Sequence, residues 1–246
     1  MPILAEQFVY LSSKGDKKIE VYQLLENGEL TFKQSAMSKA APGNSVMAPN
    51  KKFLYVSVKD KKNCGIETFQ INDDGTLKSV AYAKTPYFCG FLAIDRHGQY
   101  LFASHYSDGR VTSYQLENHL YKGQVLDDLK TDDRAHSIGI DKTGSFVYAP
   151  HTSPNKIYQF SFKNERLSFL SPKASMGPHT DKQYHEPRHF VFHPFKNLLY
   201  SSNEKGGGIS LWSRSKTGQL NLVQTVSTLP EKSDRRFSAS DIRHKC

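Results

Sequence analysis

The chain has 246 residues, and 33 lysines and arginines against 24 aspartates and glutamates give it a formal net charge of +9. Hydrophobic residues make up 37% of the sequence and charged residues 23%, which is typical of a globular protein with a buried core. The 13 tyrosines and 15 phenylalanines exclude an intrinsically disordered chain. No run of the sequence approaches the roughly 18 apolar residues that a membrane-spanning helix needs.

The composition also bears on compartment and partners. The segment Met1–Glu6 has neither a basic region nor a long apolar stretch, so we expect no secretory signal. The three cysteines, Cys64, Cys89 and Cys246, are odd in number and lack metal-site spacing, which favours a reducing, cytoplasmic location. Basic residues are scattered in short pairs, which predicts a solvated face and no nucleic-acid or membrane partner. The oligomeric state stays open.

A repeated strand pattern sets the architecture. From the N-terminus, each unit has an aromatic-centred strand, an alternating run such as residues 19–24, and a hairpin turn such as Asn27-Gly28 or Asp74-Gly75. The aromatic recurs at intervals of 45, 47, 46 and 52 residues, at Tyr10, Tyr55, Phe102, Tyr148 and Tyr200. Units of about 46 residues with four short antiparallel strands each predict an all-β fold, a β-propeller. A flat β-sandwich is the competing interpretation, but it predicts no fixed period.

We expect the ring of repeat units to be incomplete. The sequence contains strands two to four of a first unit, then four full units, and then residues 237–243, which match the first strand of another. We therefore expect one incomplete propeller domain over residues 1–246, with about five blades and with residues 233–246 beginning an unfinished further blade. Uncovered blade faces would forfeit apolar burial, so we expect this chain alone to be poorly stable and inactive.

The units in register predict where functional side chains meet. The position twelve residues before the aromatic begins the innermost strand at one mouth of the channel, and it holds Gly43, Gly90, His136 and Arg188. The second strand returns to the same mouth, so residues just past the aromatic also arrive there. These are His105, His151, Asn203 and Glu204. We predict a cluster of His136, Arg188 and Glu204 with the other histidines nearby.

This cluster has a recognisable chemistry and an alternative. A neutral His136 can accept a proton near neutral pH, and the Arg188 guanidinium can hold an anion or a developing oxyanion. Glu204 can orient either group. In the alternative interpretation Arg188 and Glu204 form a structural ion pair, and His136 packs against a neighbouring blade.

A histidine-rich run over residues 185–193 raises the question of a metal. Its members His189 and His193 lie about 13 Å apart along a strand at ~3.3 Å per residue, so they cannot chelate one ion together. We predict no metal and no cofactor. The glycines at 206–208 lack the pattern of a phosphate loop and predict a flexible hairpin.

Two blocks carry a resemblance to a known family. Residues 186–194 (Glu-Pro-Arg-His-Phe-Val-Phe-His-Pro) and 199–204 (Leu-Tyr-Ser-Ser-Asn-Glu) resemble the signature of the 6-phosphogluconolactonase-type lactonases, a family that also includes carboxymuconate lactonising enzymes. Residues 135–137 and 233–242 are similar to that family too. The resemblance implies a seven-bladed propeller, here apparently C-terminally truncated, with a metal-free site at His136, Arg188 and Glu204. Glu186 stands where the family usually has glycine.

The resemblance implies hydrolysis of 6-phosphoglucono-1,5-lactone, in the pentose phosphate pathway. His136 would be the general base, Arg188 would stabilise the oxyanion, and Glu204 would orient both. Further substrate contacts are expected from His105, His151, His185 and Asn203, and the substrate is a small anion. The alternatives are a carboxymuconate lactonising isomerase on the same fold and a non-catalytic binding scaffold.

Overall fold

A computed structural model describes residues 6–61, 63–180, 183–230 and 238–243, and the ordered elements in them are β-strands. The first two sheets are formed by β1 (Gln7–Ser13), β2 (Lys18–Leu24), β3 (Leu30–Met37), β4 (Ala41–Met47), β5 (Phe53–Asp60), β6 (Asn63–Ile71) and β7 (Leu77–Lys84). The next two are formed by β8 (Phe91–Ile94), β9 (Tyr100–His105), β10 (Arg110–Glu117), β11 (Leu120–Lys130), β12 (Gly139–Ile140), β13 (Phe146–His151), β14 (Lys156–Lys163) and β15 (Arg166–Met176). The remaining strands are β16 (His179–Thr180), β17 (Gln183–Tyr184), β18 (Pro187–Phe192), β19 (Leu198–Asn203), β20 (Gly208–Arg214) and β21 (Leu220–Ser227).

The sheets confirm the predicted blades. The first has three strands in the order β1-β2-β3, and four further sheets each have four strands in chain order. Neighbouring strands pair antiparallel, for example β13 with β14 and β19 with β20. Short turns join adjacent strands because Gly28, Gly75 and Gly218 adopt a positive φ, which side chains with a Cβ disfavour. Within the described ranges, no helix has the length and hydropathy needed to cross a bilayer.

The chain divides into two compact units. The first comprises Met1–Leu101 and Tyr114–Gln124, and the second comprises Phe102–Ser113 and Val125–Cys246. Apolar residues of the first three strands and of β5 and β6 form a core in the first unit. In the second unit Tyr148, Ile157, Leu199 and Trp212 are fully buried in another core.

Three of the repeated aromatics connect their blade to the next one in sequence. The Tyr10 hydroxyl donates to the Gly75 carbonyl at 3.0 Å, and the Tyr148 hydroxyl donates to the Gly218 carbonyl. Tyr55 makes the same kind of bond to the carbonyl of His119 at 2.9 Å. The period therefore reflects a bond from the second strand of one blade to the outer turn of the following blade.

Two local features differ from a plain repeat. The interval from Tyr148 to Tyr200 is six residues longer than the preceding one, and that stretch holds the additional hairpin β16–β17. The predicted hairpin at the glycines is present between β19 and β20 as a tight turn, because Gly206 and Gly207 both have positive φ. A Cβ on Gly207 would lie 2.6 Å from Leu229, so this turn leaves no room for a side chain.

The predicted unfinished blade lies partly outside the described residues. Residues 233–237 and 244–246 are not described, and Ser238–Arg243 have no strand assignment. The Ser202 hydroxyl donates to the Ser240 carbonyl at 2.7 Å, so this short segment contacts the end of β19. That these residues begin a further blade stays a prediction.

Candidate functional site

Backbone pairing at the ends of two blades positions three polar side chains in the second unit. Ala135 forms an isolated bridge with His151, and the His136 N–H donates to the Pro150 carbonyl at 2.9 Å. Arg188 is the second residue of β18. Glu204 follows β19 directly, and its N–H donates to the Glu186 carbonyl at 2.8 Å.

Arg188 is the centre of this group. Its Nε donates to His136 Nε2 at 2.9 Å and lies 3.6 Å from Glu204 Oε2. Its Nη1 donates to the Ala239 carbonyl at 3.0 Å. The Arg188 and Glu204 side chains retain 24% and 27% of their exposure, so a small molecule can reach both. The described residues supply no hydrogen-bond partner for Nη2, which leaves a donor for an anion or a carbonyl oxygen.

His136 is held in its neutral form. Burial, then the neighbouring His189 and Arg188, lowers the pKa of His136 to about 4. Because Nε2 accepts the Arg188 N–H, the proton of the neutral ring is assigned to Nδ1. Nδ1 is buried, and nothing among the described residues accepts its hydrogen bond. His136 therefore orients the guanidinium in this arrangement, and its accepting atom is already occupied.

Three neighbours extend the cluster beyond the predicted residues. The His189 ring packs against His136 with centroids 4.8 Å apart, and His189 Nδ1 lies 3.5 Å from Asp241 Oδ1. The Tyr106 ring packs edge-to-face against the His136 ring, with centroids 5.5 Å apart. In the register of the repeat, Ser240 is equivalent to Arg188 of the previous unit. This equivalence is the feature of the sequence that could have placed the adjacent Asp241 at the site.

His105 and Asn203 occupy equivalent positions as the last residues of β9 and β19, and both are fully buried. His105 Nε2 is 2.8 Å from Thr112 Oγ1, and Asn203 Nδ2 donates to Ser210 Oγ at 3.0 Å. Each partner lies seven residues later, on the adjoining strand. These side chains hold strand ends together and present no surface to a substrate.

His151 and His185 also differ from the expected substrate contacts. His151 is fully buried, with Nδ1 2.9 Å from the Ala149 carbonyl and Nε2 2.9 Å from Thr131 Oγ1. His185 is partly buried, and its ring lies against Gly206 at the β19–β20 turn, where an added Cβ would meet it at 2.8 Å. Within the described ranges, neither residue forms a hydrogen bond or a ring contact with Arg188, His136 or Glu204.

The structure shows a backbone conformation and a charge partner for Glu186 that its position in the sequence did not indicate. It adopts φ 60°, a left-handed conformation that favours glycine, the residue that the resemblance leads us to expect at this position. The Glu186 carboxylate is nearly fully buried and accepts a bond from Lys205 Nζ at 2.6 Å. Because Lys205 balances its charge, Glu186 adds less negative potential beside Arg188 than the sequence alone predicts.

Buried neutral histidines predict loss of stability in mild acid. Burial lowers the pKa of His151, like that of His136, to about 4, against about 6.5 in an unfolded chain. Between pH ~4 and pH ~6.5 these histidines are therefore protonated in the unfolded chain but neutral in the folded protein. The free energy of unfolding is highest above pH ~6.5 and falls as the pH approaches ~4. For fully buried His151 the shift corresponds to about 3 kcal/mol. Urea unfolding from pH ~7 to ~4.5 should show the decline, with a weaker pH dependence in His151→Gln, and a constant midpoint would contradict it.

The arrangement supports polar chemistry on a small anionic or carbonyl substrate. It combines a fixed guanidinium with one open donor, a neutral imidazole and an accessible carboxylate, groups that stabilise an oxyanion and move a proton. Among the described residues, no group of three or more histidine, cysteine, aspartate or glutamate side chains could hold a metal ion. Fold and site together define a β-propeller with a polar cluster as its candidate functional site.

Comparison with known proteins gives the family. Residues 8–245 match the family model described as lactonase, 7-bladed β-propeller, so the chain belongs to this lactonase family and is a lactonase-type hydrolase. A protein named 6-phosphogluconolactonase from Erwinia tasmaniensis is 30% identical over 235 residues, which cover 95% of this chain and 69% of the relative.

Two solved structures share the fold at low sequence identity. A periplasmic gluconolactonase of Pseudomonas aeruginosa superposes with a TM-score of 0.79 at 18% identity, covering 93% of this chain and 69% of its own. A protein from Lactobacillus plantarum superposes with a TM-score of 0.78 at 19% identity, covering 92% and 69%. At these identities the likeness concerns the fold alone.

Proposed function

We propose that this protein hydrolyses 6-phosphoglucono-1,5-lactone to 6-phosphogluconate at the Arg188 cluster. The observation that carries the proposal is the Arg188 guanidinium, which His136 and the Ala239 carbonyl hold in place while Nη2 stays open. The family and the name of the Erwinia tasmaniensis relative support a lactone substrate. The net charge of +9 suits a phosphorylated one.

In the proposed reaction, water attacks the lactone carbonyl carbon and the carbonyl electron pair moves to oxygen, where Arg188 Nη2 donates to the oxyanion. Glu204 accepts the proton of the attacking water. The oxyanion then reforms the carbonyl, the bond from carbon to ring oxygen breaks, and Glu204 returns the proton to the leaving alkoxide. The new carboxylic acid ionises to solvent.

These roles differ from those predicted for His136 and Glu204. A general base needs an available lone pair. The accepting atom of His136 is already bonded to Arg188. The Glu204 side chain is 27% exposed and has a carboxylate oxygen beside Arg188, which supports Glu204 as the base and His136 as the residue that orients Arg188.

Initial rates on a substrate panel test the proposal. Because we expect the 246-residue chain alone to be inactive, the assay uses a chain extended to the seven blades of the family. This protein should hydrolyse 6-phosphoglucono-1,5-lactone well above the spontaneous rate and should act weakly on a carboxymuconate. Preference for the carboxymuconate would favour the lactonising isomerase. A folded protein that accelerates neither reaction would contradict the proposal and favour a binding scaffold.

A cytoplasmic location stays part of this proposal. Within the described residues, Cys64 and Cys89 are not joined in a disulfide, which suits a reducing compartment. Fractionation of the native cells should place the protein with cytoplasmic markers, and recovery in a periplasmic fraction would contradict this.

A further inference from the structure

Arg134 is an exposed residue held in an unfavourable backbone conformation next to the candidate site. It has φ 58°, in the left-handed region where residues other than glycine are uncommon. Its N–H donates to the Tyr106 carbonyl at 2.8 Å, and its own carbonyl accepts from the Thr152 N–H at 3.3 Å. These bonds fix the backbone two residues before His136. A cationic residue whose backbone is fixed beside His136 is a candidate for contact with a substrate bound at the Arg188 cluster.

Tyr106 gives the same place an exposed aromatic surface. The backbone carbonyl of Tyr106 accepts the bond from the Arg134 N–H. Tyr106 is 39% exposed, although its ring packs against His136. An exposed ring beside a polar site is a surface on which the apolar face of a sugar can pack. The backbones of Tyr106 and Arg134 are therefore bonded to each other, and the Tyr106 ring packs against His136.

The charges around Arg134 leave its guanidinium able to bind an anion. The Asp132 carboxylate is paired with Lys156 Nζ at 2.7 Å. Asp133 is exposed beside Arg134 and opposes its potential in part. No ion pair of Arg134 is recorded in the described part of the chain, whereas Arg188 is already bonded to His136 and Ala239.

We propose that Tyr106 and Arg134 form a second subsite that binds the phosphorylated end of the substrate. The proposal rests on the proposed function. The phosphate on C6 lies outside the sugar ring and several bonds from the carbonyl carbon at C1, so one arginine cannot serve both groups well. Arg188 binds the reacting carbonyl, Tyr106 packs against the ring, and the Arg134 guanidinium pairs with the phosphate as a forked donor. Arg134 thus determines specificity for a phosphorylated lactone.

The test compares two lactones that differ only in the phosphate. KM and kcat are measured for 6-phosphoglucono-1,5-lactone and for glucono-1,5-lactone with the wild type and with Arg134→Gln. Loss of one charge-assisted bond should raise KM for the phosphorylated lactone about tenfold. KM for the unphosphorylated lactone and kcat for both should stay close to wild type. Equal changes for both lactones, or none, would overturn the subsite.

Further variants separate binding from folding. Arg96→Gln removes an exposed arginine in another turn and should leave both KM values unchanged. Arg134→Gly relieves the positive φ, so it should unfold at no lower temperature than wild type while showing the same selective rise in KM. Asp133→Asn should shift that KM in the opposite direction.

Tyr106 has its own expected signature. Tyr106→Ala should raise KM for both lactones alike, because the ring contacts the sugar and not the phosphate, and a selective effect would contradict its assigned role. Failure of the wild type on 6-phosphoglucono-1,5-lactone would instead contradict the proposed function itself, so the two results are distinguishable.

Discussion

Arg188→Ala should lower kcat/KM for lactone hydrolysis by roughly 10²–10³-fold, the usual effect of removing one donor to an oxyanion. The variant loses the open Nη2 donor. It also removes the common partner of His136 and Glu204, which lie 2.9 Å and 3.6 Å from Nε. The measurement is the initial rate of lactone hydrolysis after subtraction of the spontaneous rate.

A conservative variant and a control make this result specific. Arg188→Lys keeps the charge but loses the guanidinium that donates to His136 and to the Ala239 carbonyl at the same time. It should therefore retain only part of the wild-type activity. Arg96→Ala, at an exposed turn, should behave as the wild type. If Arg188→Ala stays within about threefold of wild type, Arg188 does not stabilise the transition state.

Asp141→Ala should lower the free energy of unfolding by about 3–5 kcal/mol, because it leaves a buried cation without its partner. The Asp141 side chain is 1% exposed and accepts a short hydrogen bond from Arg214, which is 8% exposed. Burial raises the pKa of Asp141, but bonds from Arg214, Thr143 and the Phe146 N–H outweigh it, and the pKa is lowered overall. Urea unfolding at neutral pH measures the change.

Asp95→Ala is the matched control for this ion pair. Asp95 is buried in the equivalent turn of the third sheet and accepts from the N–H groups of His97, Gln99 and Tyr100. Among the described residues, no cation forms an ion pair with Asp95. Asp95→Ala should therefore lower the free energy of unfolding clearly less than Asp141→Ala does. Equal decreases would mean that Arg214 contributes little to the stability of its blade.

The strand pattern could be predicted from the sequence because the repeat is a packing requirement. In three blades a tyrosine of the second strand bonds to the outer turn of the following blade, as Tyr10 does to Gly75 and Tyr148 to Gly218, so the spacing of these tyrosines stays close to the length of one blade. Turns with Asn-Gly or Asp-Gly mark the same boundaries. The hairpin β16–β17 was not predicted because it carries no aromatic-strand signature and only lengthens one interval.

The site was predictable only as far as register determines it. Register brings His136, Arg188 and Glu204 to one place, but it does not distinguish residues that face a site from those that hold strand ends. His105 and Asn203 share the predicted position and are buried on hydroxyls seven residues later. That spacing, His105 to Thr112 and Asn203 to Ser210, is the pattern in the sequence that indicates a structural role.

Protonation and backbone strain could not be predicted from sequence. The neutral state of His136 depends on its burial and on which ring nitrogen meets Arg188. The positive φ of Arg134 and of Glu186 follows from bonds to Tyr106 and Asn155 that are distant in sequence. Only the folded backbone reveals such contacts.

The most direct test of the account is a crystal structure of this protein with 6-phosphogluconate bound. The account predicts the product carboxylate within hydrogen-bond distance of Arg188 Nη2, close to the Glu204 carboxylate, and the phosphate at the Arg134 guanidinium. A product bound with its carboxylate away from Arg188, at any concentration that saturates the protein, would contradict the assignment of this cluster as the site of lactone hydrolysis.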